Sequence, residues 1–136
     1  MEWNFETAEE LLALCRTHQL GVGEIALRRE VERSAQTEAV LLERMVAHYR
    51  AMRESIRRGL GLEGRSTSGL SGGDAARLLT YAQGASPLLG ADVAKVAAYG
   101  FAVLEHSAQF GRIVATPTAG SAGIVPACLL MLEEKR

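Results

Sequence analysis

Residues 37–59 read TEAVLLERMVAHYRAMRESIRRG, and this stretch decides the fold class. Leu41, Met45, His48, Met52 and Ile56 recur every three or four positions, the period of a helix with one apolar face; a half-buried strand would alternate instead. Thr37 can start such a helix, and Gly59 follows a basic last turn, where a glycine commonly ends one. One long amphipathic helix from Thr37 to Gly59 is expected.

Working toward the N-terminus, Gly23 to Arg33 predicts a short, largely exposed helix, with Ile25, Leu27 and Val31 as its apolar positions. Thr7 and Glu10 have capping-box spacing, and Leu11, Leu12, Leu14 and Cys15 make a short apolar face, so a first helix is expected over 8–19. Toward the C-terminus, GLGLEGRSTSGLSGG (59–73) reads as a long connection and not as a packed element. Helices are expected over 74–83, 91–109 and 122–134, with Ser86-Pro87 breaking the first and Gly111 ending the second. No repeat, coiled-coil heptad or alternating strand is evident. The expected fold is all-α, with five or six helices and two Gly/Ser-rich loops preceding helices. It divides by composition into amphipathic helices over 1–58 and loop-bearing apolar helices over 59–136.

Length and charge bound the function. At 136 residues the chain suits one domain. Its net charge of −1 gives no general attraction for nucleic acid or an anionic membrane, and no apolar run is long enough to span a bilayer. Met1 to Glu10 carries four glutamates and no secretory pattern, so a cytoplasmic location is expected. In such a setting Cys15 and Cys128 are expected to be reduced, buried thiols. Ser66 to Leu132 spans 67 residues with only six charged side chains, namely Asp74, Arg77, Asp92, Lys95, Glu105 and Arg112. Helices this apolar need cover on several sides, from further polypeptide or from a partner subunit.

Two segments could carry chemistry: Ser66 to Asp74 (STSGLSGGD) and Thr116 to Gly123 (TPTAGSAG). Each precedes an expected helix, whose first backbone N–H groups are unpaired and carry partial positive charge. Glycine admits a ligand to the backbone and hydroxyls add donors, so either segment could hold a carboxylate or phosphate. The same residues also serve as ordinary turns and caps. Neither segment has the lysine of a phosphate-binding Walker loop or the strand of a dinucleotide fingerprint. His106, beside Glu105, is an acid/base candidate because histidine titrates near neutral pH, although a helix-surface histidine is the expected reading; His18, His48, Met45 and Met52 are read as structural.

SGLSGGDA and ATPTAGSAGIVPA resemble segments of the α chain of bacterial iron–sulfur-dependent L-serine dehydratases. The family pattern includes Asn-Glu-x-Asn-Ala-Ala before Pro-Thr-Ala-Gly-Ser; here the stretch is Leu104-Glu105-His106-Ser107-Ala108-Gln109, keeping only Glu105 and Ala108. Thr67 stands where the family commonly has Pro, and Ser68 and Ser71 where it commonly has Thr. The resemblance implies conversion of L-serine to pyruvate and ammonia with a [4Fe–4S] cluster and no pyridoxal phosphate. The open iron would act on the serine hydroxyl while a base removes the α-proton. It further implies that Ser66, Gly72, Gly73, Asp74, Thr118, Gly120 and Ser121 wall the substrate pocket, with Glu105 as an acid/base candidate. The implied partners are L-serine, the remainder of the α chain, a β chain or domain, and further copies of the chain as a homo-oligomer.

The family's three cluster cysteines lie downstream of Pro-Thr-Ala-Gly-Ser, and neither Cys15 nor Cys128 matches them. No metal ligand is therefore expected in this chain, which reads as a portion of the α chain that is inactive alone. The competing reading is a non-enzymatic helical module that oligomerises or docks on a partner. A pyridoxal enzyme using Lys95 is a third, weaker reading, since that lysine lies mid-helix with no phosphate loop nearby.

Overall fold

The computed structural model describes residues 2–84 and 86–136, and the described residues form six helices without a strand: α1 (Ala8–His18), α2 (Val22–Ser34), α3 (Glu38–Leu60), α4 (Asp74–Ala82), α5 (Ala91–Ala108) and α6 (Ser121–Glu134). The fold is all-α. The chain divides into two compact units, Met1–Ala47 and His48–Arg136, with the boundary inside α3. The composition changes later, after residue 58.

The N-terminal unit has little core. α1 starts on the expected capping box, in which Thr7 Oγ1 accepts from the Glu10 amide and the Glu10 carboxylate accepts from the Thr7 amide. α2 buries only Ile25. Side-chain stacking supplements this: the Arg28 guanidinium lies 4.7 Å from the Trp3 ring centroid, Arg29 lies 4.2 Å from that of Phe5, and Trp3 meets His18 at 4.5 Å. Cys15 is half-buried, and Cys128, expected inside, is exposed on α6; both are free thiols.

The C-terminal unit is built around α5. Ala94, Ala98, Tyr99, Ala102, Val103, Glu105 and His106 are its buried positions, a stripe at helical spacing. Tyr99, Ala102 and Val103 among them cluster with Ile56 of α3, Ala75 of α4 and Ala127 of α6, with Leu60, Leu79, Val96, Ile113 and Leu130 around the edge. The many alanines and glycines permit close backbone approach. A Cβ on Gly59 would lie 1.9 Å from the Ala102 carbonyl oxygen, and one on Gly123 would lie 3.1 Å from that of Gly100. Gly59 thus stands one residue before the end of α3, close to where its position after two arginines suggests, and it is also a packing contact.

Two further expectations are corrected. His106 is not on the helix surface: it is 8% exposed, and its ring lies where a Cβ on Gly111 would stand, within 2.3 Å of three ring atoms. The bend after α5 is made at Phe110, with φ 62°, while the Gly111 amide donates back to the His106 carbonyl at 2.8 Å. The long helix keeps only part of its expected face. Met52 and Ile56 are buried, whereas Met45 is 66% exposed and His48 is exposed.

Candidate functional site

The first loop, residues 61–73, is folded on itself. Ser66 is buried; its amide donates to the Ser71 carbonyl at 2.7 Å, its carbonyl accepts from the Gly69 amide at 2.8 Å, and its hydroxyl accepts from the Ser71 amide at 3.3 Å. Arg65 closes the turn by donating to the Gly69 carbonyl at 2.9 Å. Gly72, at φ 147°, brings the strand of chain back against Gly64, whose carbonyl oxygen would stand 2.3 Å from any Cβ there. Only glycine fits.

The end of this loop is held by a buried acid from another helix. Glu105, 2% exposed, accepts hydrogen bonds from the amides of Gly73 (3.1 Å), Asp74 (2.7 Å) and Ala75 (3.2 Å). These are among the orphan donors of α4's first turn, and a carboxylate there also meets the positive end of the helix. Gly72, Gly73, Asp74 and Glu105 are thus brought together, with Ser66 one turn of loop away. The Asp74 side chain pairs with Arg77 at the surface.

The second loop is a hydroxyl knot at the start of α6. Ser121 Oγ donates to the Thr116 carbonyl and lies 3.0 Å from Thr118 Oγ1, which accepts from the Ser121 amide at 3.3 Å. The Thr118 amide in turn donates to Ser121 Oγ at 3.3 Å. Gly120 stands between them at the helix entry. Among the described residues, the Thr116 hydroxyl is buried without a partner, and no hydrogen bond joins the two loops. Thr118 and Ser121, with Gly120 between them, form a cluster through their own hydrogen bonds.

Sequence expects Ser66 on the pocket wall and Glu105 as an acid/base candidate, but not the capping bonds of Glu105 or the inward turn of Ser66, because their partners are set by folding. Lys95 is committed elsewhere: its ammonium lies 2.7 Å from Glu134. The bond to Glu134, then that to Tyr99, pushes its pKa up, opposite to what a Schiff-base lysine requires.

A [4Fe–4S] cluster needs about three or four thiolates converging on one pocket. Cys15 lies in one unit and Cys128 in the other, and no group of three His, Cys, Asp or Glu side chains among the described residues could hold a metal ion. These residues do not make a cluster site.

A six-helix protein with two folded Gly/Ser loops, each leading into a helix N-terminus, is the class that these features define. Within it, residues 17–136 match the family described as serine dehydratase alpha chain, and the chain belongs to that family. The probable L-serine dehydratase alpha chain of Bacillus subtilis (strain 168) is 33% identical over 132 residues, covering 96% of this chain and 43% of that protein. The L-serine dehydratase alpha chain of Peptoniphilus asaccharolyticus is 32% identical, covering 95% of this chain and 44% of its own length. The L-serine dehydratase of Streptomyces coelicolor is 35% identical, with 28% of its length covered. The chain thus spans less than half the length of these relatives. No described helix is long and apolar enough to cross a membrane.

Proposed function

We propose that this chain supplies substrate-contacting loops to an L-serine dehydratase, which converts L-serine to pyruvate and ammonia in the cytoplasm. Family membership over residues 17–136, a range that includes both loops, is the observation that carries this reading. The Thr118–Ser121 knot offers hydroxyls and the α6 N-terminus to an amino-acid carboxylate, with Gly120 leaving the backbone open. On the first loop, Ser66, Gly72, Gly73 and Asp74 form the other wall, and Glu105 keeps that wall in shape by occupying the amides of α4. A carboxylate already holding three N–H donors suits this fixing role better than removal of the substrate α-proton.

The [4Fe–4S] cluster of the family has no ligand set among the described residues. Its thiolates would come from polypeptide beyond this chain, which on this reading does not dehydrate serine alone. The apolar helices of the C-terminal unit would be covered by the same polypeptide, by a β chain, or by another copy of the chain. Titration of L-serine followed by backbone chemical shifts tests the loop assignment. Changes confined to 61–73 and 116–123 are expected; none at millimolar serine would overturn it and favour a non-enzymatic docking module.

A further inference from the structure

One side of α5 packs on α3, with Ala102 against Gly59, and the opposite side carries Val93, Ala97, Phe101 and Leu104 at intervals of three or four residues. The helices on either flank extend this apolar face. Phe101 shares a shallow groove with Leu78 and Tyr81 of α4, and the backbone contact between Gly100 and Gly123 sets Ile124 of α6 on the other flank. We infer that this face pairs with the same face of a second copy of the chain, the two α5 helices running antiparallel about a two-fold axis.

Area is the first reason. Tyr81, Val93, Phe101, Leu104 and Ile124 are each 46–63% exposed. Together they present roughly 500 Å² of apolar surface, at the upper end of the largest patch a monomer shows. A stable pair removes about 800 Å² from each partner, and about 65% of that is apolar when the partners are identical. The patch supplies the apolar share of one such interface.

Charge is the second reason. The α5 stripe carries no charged side chain, and ionic groups at the edges of the face are engaged within the chain: Asp74 with Arg77, and Asp92 with Lys135 at 2.6 Å. A strongly charged partner finds no unanswered charge there, whereas an identical neutral surface requires none.

Shape sets the register. Across a two-fold axis at the level of Tyr99, Ala97 of one copy meets Phe101 of the other, and Val93 comes close to opposite Leu104. The small residue receives the large one, and Gly100 next to it leaves room for the ring.

Sedimentation equilibrium of the full chain in reducing buffer, from about 10 to 200 µM, tests the pairing. A dimer is expected, and Phe101→Lys, at an exposed position, should raise its dissociation constant about tenfold or more with helix content by circular dichroism unchanged. Adding Ala97→Glu to that variant places opposite charges across the axis and should recover part of the loss. A monomer throughout the range would overturn the proposal and leave the face to polypeptide beyond the chain or to a β chain. A dimer that Phe101→Lys leaves intact would overturn the choice of face, and absence of recovery with Ala97→Glu would overturn the antiparallel register. The L-serine titration is a separate measurement, so this pairing and the assignment of the loops fail independently.

Discussion

At the scale of single residues, Glu105 links α5 to a helix start some 30 residues earlier in the chain. Its oxygens accept three amide hydrogen bonds at 2% exposure, so substitution leaves buried donors without an acceptor. Glu105→Gln keeps the shape but replaces one acceptor oxygen with a donor facing other donors. A loss of about 1–3 kcal/mol in urea unfolding is expected, and an unchanged midpoint would show that the α4 amides find other partners. Sequence shows Glu105 as an acid retained from the family pattern, which suits both a catalytic and a capping role. The pairing that separates them is non-local.

At the scale of elements, helix periodicity and capping patterns locate most helix ends to within a residue or two. Thr7 and Glu10 identify the start of α1 because both partners lie within one turn. The same local rules place the end of α3 at Gly59, one residue short of Leu60, but they do not show the packing role of that glycine, because nothing local tells of the facing helix. Its actual constraint is the Ala102 backbone, too close for any added carbon. Gly59→Ala should therefore destabilise the protein by about 1–3 kcal/mol despite alanine's better helix propensity. A rise in the thermal midpoint, as propensity alone predicts, would contradict the packing. The first loop was legible as a loop from its Gly and Ser content, but the inward turn of Ser66 depends on bonds that composition does not encode.

At the scale of the whole molecule, the fold class follows from one long amphipathic stretch, and the burial of His106 does not. Facing elements decide that. His106 also sets a pH dependence. Its folded pKa is lowered from 6.5, first by burial and then by Arg58, so the unfolded chain binds the proton more readily. The stabilising contribution is full above about pH 6.5 and is lost as pH falls through that value toward the lower folded pKa. Carboxylates enter later: Glu54, held at about 2 by hydrogen bonds from Arg57 and Arg58, and Glu10 and Glu134, also lowered, weaken the fold only below about pH 4.5. Urea midpoints between pH 7.5 and 5.5 should fall for the parent protein and stay flatter for His106→Gln; parallel curves would remove His106 as the cause.

The two glycine contacts on α5 have a mechanical consequence. With Gly59 against Ala102 and Gly123 beside Gly100, main chain meets main chain where side chains would otherwise act as a compliant layer. A one-residue slip of α3 or α6 along α5 would drive a Cβ into a carbonyl, so neither helix can ratchet past its neighbour. The two contacts thus act as a register lock on the three-helix frame from which both loops extend.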